Sequence, residues 1–238
     1  MAVKFRDTSC IMVVAMTRSY RLQRRAERQA ETRRRIIDAA IALHQTLGPA
    51  RTTVSDIAER ARVGRVTVYR YFGNEPALAR ACSSTYFQRH PLPDLEPWRH
   101  IADAHERMTL ALHDTYAYHR ATEAMMTRVL ADARDHEVMV PYHAHWQRAA
   151  DVLFAGAQVR GRRRTLHRAG ILLALSFDTW RLLVREQRLT DMEAITVALR
   201  LASDTSRSAE TLSAARQSSS RVRVVPHRHS PPPGGLRS

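Results

Sequence analysis

The spacing of apolar residues along the chain predicts an almost entirely helical protein. Ile36, Ala40 and Leu43 recur every three or four residues, which is the spacing of one buried helix face. This pattern predicts a helix over about residues 25–47, ended by Gly48 as a left-handed cap. Glycine is scarce, with 8 residues, and runs of β-branched residues are rare. We therefore expect an all-α protein.

Two short helices joined by a tight turn are predicted between residues 53 and 72. Thr53 and Asp56 form a capping-box-like start for the first, and the second covers residues 65–72. Arg62 to Gly64 form the turn between them. Two short helices after a longer one are typical of a helix-turn-helix, whose second helix enters the major groove of DNA.

The second short helix has an apolar face and a face suited to DNA. At about 100° per residue, Val68 and Phe72 share the inward face, and Val66 and Arg70 point away from it. Arginine can bond guanine edges, threonine and valine can touch thymine methyl groups, and tyrosine hydroxyls can reach phosphates. The outward and flanking side chains that we expect at DNA are Arg65, Val66, Thr67, Tyr69, Arg70 and Tyr71. The alternative is a plain three-helix bundle in which both tyrosines are packing residues.

These segments resemble the TetR family of transcription regulators. The resemblance rests on Ile36-Ile37, Ala39-Ala40, Thr52 to Ala58, Val63 to Phe72, Asn74 and Leu78. It implies that Thr53, Ser55 and Asn74 join the outward side chains of the second helix at a double-stranded DNA operator. It also implies a cytoplasmic homodimer whose larger C-terminal helical domain binds a small-molecule effector. Repression by occluding a palindromic operator is the expected mode.

Four positions depart from the family pattern. Arg62 stands where glycine is usual, Gly64 where serine caps the recognition helix, and Val66 where glycine or proline is common. Glu75 stands where a lysine normally contacts phosphate. We hypothesise that the arginine-rich N-terminal arm supplies compensating phosphate contacts.

Changes in composition divide the chain into four regions. We expect a basic, mostly disordered arm over 1–27, a DNA-binding domain over 28–90, an effector-binding and dimerisation domain over 91–204, and a disordered basic tail over 205–238. Helices of the third region are predicted at 98–118, 121–133, 138–157, 164–188 and 191–203, with a second capping box at Thr190 and Glu193.

The third region offers candidates for an effector pocket and a dimer interface. The pocket residues that we predict are Met108, Tyr116, Met125, Trp146, Phe177 and Asp178. Helices 164–188 and 191–203 carry more apolar residues than one protomer needs, which favours a four-helix bundle across a two-fold axis. The alternative is a monomer that buries these faces internally.

The charge of the chain favours a polyanionic partner. The formal net charge is +15, and residues 1–35 and 207–238 carry most of the excess. Cationic side chains displace condensed counterions from phosphates, so such a chain suits DNA. The same charge leaves open a non-specific architectural DNA-binding protein. A bias to arginine also arises in GC-rich genomes.

Other functional classes find little support in the sequence. We find no GxSxG, P-loop, paired-carboxylate or zinc signature, so we expect neither an enzyme nor a cofactor. His143 and His145 lie two residues apart and point to different helix faces, so we expect no metal site. Cys10 and Cys82 lack any motif spacing, and no apolar run reaches the ~20 residues of a membrane span.

Overall fold

The computed structural model describes residues 8–157 and 159–203, which are helical and contain no β-strand. The helices are α1 Thr8–Thr46, α2 Val54–Arg60, α3 Arg65–Phe72, α4 Glu75–Arg89, α5 Glu96–Arg99, α6 Ala104–Asp132, α7 Val140–Phe154, α8 Gly161–Leu175, α9 Phe177–Arg181 and α10 at 191–203. Single 3₁₀ turns at Pro49–Arg51 and Glu137–Met139 precede α2 and α7. The all-α class, with a small helix-turn-helix domain and a larger helical part, is confirmed.

Helix α1 begins much earlier than the sequence predicted. It starts at Thr8, so the structure differs from the expected disordered arm over residues 8–27. Residues 21–35 are, apart from Thr32, Leu, Gln, Arg, Ala and Glu, which favour helices, and neither glycine nor proline interrupts α1. Residues 1–7 and 204–238, which include the predicted basic tail, lie outside the described part of the chain.

The apolar face of α1 organises the DNA-binding domain. Ile36 and Ala40 are fully buried, and α1 packs against α2 and α4. Gly48, just after α1, has a φ of +88° and a ψ of 157°, so it ends the helix at a positive φ that suits glycine but not in the predicted left-handed helical conformation. The cap turns the chain sharply and places α2 and α3 beside α1.

Helix α6 joins two predicted helices into one. The apolar pattern predicted two separate helices, 98–118 and 121–133, but a single helix covers Ala104–Asp132. No glycine or proline lies within it, and Leu112, Tyr116 and His119 near its centre are fully or almost fully buried. Tertiary packing therefore stabilises the helix between residues 118 and 121, where the sequence pattern predicted a break.

The predicted helix 164–188 is instead broken at Ser176. This residue adopts an extended conformation, and its Oγ accepts a hydrogen bond from the Thr179 amide at 3.1 Å to start α9. Helix α9 continues into a π turn at Leu182–Glu186. The single-helix prediction was wrong because a serine that caps a helix outcompetes helix continuation. The predicted capping box before α10 is confirmed.

Candidate nucleic-acid interface

Helix α3 has the two faces that the sequence predicted. Val68 is 1% and Phe72 is 9% exposed, whereas Val66 is 82% exposed. The guanidinium carbon of Arg33 on α1 lies 5.2 Å from the centre of the Phe72 ring. These buried contacts fix the rotation of α3, and therefore fix which side chains it presents to solvent.

Most of the residues predicted to contact DNA are accessible. Exposed side chains are those of Thr53, Ser55, Arg65, Val66, Tyr69, Arg70 and Asn74, whereas Thr67 and Tyr71 are half-buried. Thr53, Ser55, Arg65 and Tyr69 line one cleft of about 600 Å³. The structure thus brings the start of α2 and one flank of α3 together, while Val66 and Arg70 do not line that cleft.

Two of these residues also hold helices in place. The Thr53 hydroxyl accepts a hydrogen bond from the Asp56 amide at 3.2 Å, and the Thr53 amide donates to the Asp56 carboxylate at 2.8 Å, which confirms the predicted capping box. Hydrogen bonds from Thr53 lower the pKa of Asp56. The Asn74 side chain caps α4 by accepting from the Ala77 amide at 2.9 Å. The sequence analysis missed this second cap.

Glu75 interacts with the candidate interface itself. Its carboxylate accepts a hydrogen bond from the Tyr69 hydroxyl at 3.3 Å, and both residues line the cleft. The hydroxyl that we expected to be free for a phosphate therefore has an acidic partner. A phosphate at this position must displace that carboxylate, which repels it.

The turn between α2 and α3 explains two departures from the family pattern. Arg62 has a φ of 54°, a left-handed conformation that glycine adopts without strain. Its carbonyl accepts a hydrogen bond from Arg35 on α1 at 3.4 Å. Gly64 occupies the cap position of α3 without any side-chain hydrogen bond. The turn therefore places a residue other than glycine at a positive φ and leaves α3 without a side-chain cap.

Polar contacts join the DNA-binding domain to the C-terminal part. Asp132, at the end of α6, accepts a hydrogen bond from the Ala50 amide at 3.1 Å. Its carboxylate lies so close to Gly48 that a Cβ atom there would overlap it. On α4, Arg80 pairs with Glu137 at 2.8 Å. The end of α6 and the turn after it therefore hold α1, α2 and α4 in position.

The six predicted effector-pocket residues do not share one cavity. Met125 lines a cavity between α1, α4 and α6, whereas Met108 lines a separate cleft near α7 and α8. Asp178 is exposed, pairs with Arg134 at 2.8 Å and lines neither of these two spaces, so its place in an effector pocket stays a prediction. Tyr116, Trp146 and Phe177 are buried in the packed core.

Those three aromatic residues surround His119, which the sequence analysis missed. His119 is fully buried, and its Nε2 lies 2.9 Å from the Leu175 carbonyl oxygen, to which it can donate. Burial lowers the pKa of His119 to about 4, although the hydrogen bond to Leu175 opposes this shift. The ring centres nearest to it are those of Trp146, Phe177, Tyr118, Trp180 and Tyr116, at 5.4 to 6.3 Å. The sequence feature that could have identified His119 is its position three residues after Tyr116, on the buried face of α6.

The described residues offer neither a metal site nor a membrane-spanning helix. They contain no group of three or more His, Cys, Asp or Glu side chains that could hold a metal ion. Over the same residues, no helix combines the length and apolarity that crossing a membrane requires.

The geometry defines a small helix-turn-helix domain attached to a larger helical part. Residues 36–82 match the family "Bacterial regulatory proteins, tetR family". A segment of 69 residues, 29% of this chain, is 39% identical to the HTH-type transcriptional regulator TtgR of Pseudomonas putida. The match covers 33% of that relative's length. Residues 36–82 are therefore similar to bacterial regulatory proteins of the tetR family.

The fold of most of the chain is also similar to solved structures. A TetR-like transcriptional regulator from Rhodococcus sp. RHA1 superimposes with a TM-score of 0.55 over 72% of this chain and 93% of that one. The two sequences are 16% identical. The likeness establishes a TetR-like fold that extends beyond the DNA-binding domain.

Proposed function

We propose that this protein is a cytoplasmic transcription regulator that binds a palindromic operator as a homodimer. Each protomer inserts α3 into the major groove, and the two grooves lie ~34 Å apart. One observation carries this proposal. The inward packing of Val68 and Phe72 leaves Val66 and Arg70 on the outward face of a helix in a TetR-family domain.

The proposed mode of action is repression by occlusion of the operator. A bound dimer blocks the promoter until an effector stabilises a conformation with a different spacing of the two α3 helices. The contacts of Asp132 and Glu137 with the DNA-binding domain support this coupling, because they join the α6 end to the elements that carry α3.

Apolar residues on the C-terminal helices support dimerisation. Leu173, Leu182 and Met192 are 52%, 45% and 65% exposed on α8, the π turn after α9, and α10. Other apolar residues of these helices are buried within the protomer, among them Ile171 and Trp180. The dimer surface that we propose is therefore narrower than the predicted one.

The dimer is tested by light scattering on the purified protein. Leu182→Glu should convert dimer to monomer, because it places a charge in an apolar contact. Val140→Glu is the matched control, since Val140 is 61% exposed but lies on α7. A wild-type protein that is monomeric at micromolar concentration would contradict the proposal.

DNA binding is tested with the DNA that flanks the protein's own gene. Fluorescence anisotropy should give tight binding to a palindrome there and at least ~10³-fold weaker binding to random DNA at the same salt concentration. A ratio near one would instead favour an architectural DNA-binding protein. That second function is supported by the exposed arginines of α1 between residues 21 and 35.

A further inference from the structure

A small apolar cavity lies between the DNA-binding domain and the C-terminal helices. Its volume is about 110 Å³, and its walls come from α1, α4, α6 and the Glu137–Met139 turn. The side chains of Met125, Met126, Met139 and Phe87 line it. The cavity therefore touches the elements that hold α3 and those that belong to the C-terminal part.

The chemistry of the lining selects the kind of molecule that fits. None of the described lining residues is Asp, Glu, Lys or Arg, and apolar side chains outnumber the polar ones, so an ion entering the cavity would lose hydration that few polar groups replace. Apolar cavities of ~150 Å³ stay dry and bind benzene. Thioether sulfurs make favourable contacts with aromatic rings. Size and lining both favour one small aromatic ring.

We infer that this junction cavity binds a small, uncharged, apolar molecule of about one aromatic ring, and that its occupancy changes DNA affinity. The second half of this inference rests on the proposed function. Met125 is the one residue of the six-residue predicted effector pocket that lines the cavity.

Three polar contacts connect the cavity to DNA binding. The Ser83 hydroxyl on α4 donates to the Val138 carbonyl at 3.3 Å, and both residues line the cavity. The Arg80–Glu137 pair and the bond between Ala50 and Asp132 join the same two sides of the molecule. A molecule that spreads the walls must lengthen or break some of these contacts. It therefore favours a different position of the DNA-binding domain.

Binding is tested by NMR on the full chain with ¹³C-labelled methionine methyl groups. Benzene should shift the signals of Met125, Met126 and Met139 in a saturable way, because aromatic ring currents act at short range. Met108 and Met192 do not line the cavity and serve as internal controls. Benzene shifts that are absent, or equal at all five methyl groups, would overturn the inference.

A cavity-filling variant separates binding from regulation. Val129→Phe fills the cavity and should abolish the benzene shifts, whereas Val140→Phe, on exposed α7 surface, should retain them. Circular dichroism checks that both variants fold. If Val129→Phe does not fold, the NMR titration of the wild type still decides whether the cavity binds benzene.

The regulatory half is read from DNA affinity. Saturating benzene should change the Kd for the operator at least about fivefold in wild type and in Val140→Phe, but not in Val129→Phe. Methyl shifts with unchanged DNA affinity would contradict regulation through the cavity. Failure to bind DNA without benzene would contradict the proposed function, while the NMR titration would still decide whether the cavity binds benzene.

Discussion

The buried His119 predicts a loss of stability in mild acid. An unfolded chain binds a proton at His119 below a pKa of about 6.5, whereas the folded pKa is about 4. The folded state therefore binds fewer protons, and stability falls as pH decreases below 6.5 until it levels off near 4. The full difference corresponds to roughly 3 kcal/mol at 1.36 kcal/mol per pKa unit. About 2 kcal/mol of it is lost between pH 7.5 and pH 5.

Urea unfolding of wild type and His119→Gln at pH 7.5 and pH 5 measures this contribution. Between these two pH values, the free energy of unfolding of the wild type should fall by about 2 kcal/mol more than that of the variant, because glutamine has no proton to gain. His113→Gln is the matched control on α6, since its side chain is 68% exposed. His145 has a similarly lowered pKa of about 4 through burial, so the variant should keep part of the acid sensitivity. Equal losses in wild type and His119→Gln would refute the reasoning.

Three further predictions concern the DNA-binding domain. Glu75→Lys should tighten binding to all DNA sequences and make the slope of log K against log salt concentration steeper by about 0.9, because it replaces the acidic partner of Tyr69 with a phosphate contact. An unchanged slope in anisotropy titrations would count against this contact. Gly64→Ser should raise the free energy of unfolding, measured with urea, by about 0.5–1 kcal/mol, because the φ of −78° at Gly64 suits serine and an added Cβ meets no atom within 4 Å. A gain no larger than that of Gly64→Ala would exclude a capping contribution by the serine hydroxyl. Removal of residues 1–27 should weaken binding to all sequences alike and flatten the salt slope, and an unaffected slope would rule out phosphate contacts by that segment.

Local signals predicted the DNA-binding domain well. The capping box at Thr53, the end of α1 before Gly48 and the inward pair Val68 and Phe72 depend on residues within a few positions of each other. Such features are set by backbone conformation and helix periodicity, which a sequence displays directly. The structure adds the contact between Tyr69 and Glu75, which depends on how α4 follows α3.

The effector site could not be predicted in the same way. Apolar residues on α6 and α7 share similar periodicity whether they line a cavity or fill a core. Tyr116, Trp146 and Phe177, which the sequence placed in one pocket, lie around the buried His119. The position of Asp178 depended on the break at Ser176, which turned its side chain towards Arg134 at the surface. Long-range packing decides such cases.

The most direct test of base reading by α3 is whether Arg70→Ala loses more affinity for the palindrome than for random DNA. Arg70 is exposed on the outward face of α3, so we expect it to bond a base edge. Anisotropy titrations of wild type and Arg70→Ala should show a loss of ~1–3 kcal/mol on the palindrome and a much smaller loss on random DNA. Arg148→Ala, an exposed arginine on α7, is the control and should bind both DNAs as wild type does. Equal losses on both DNAs, or none on either, would contradict base reading by this face of α3.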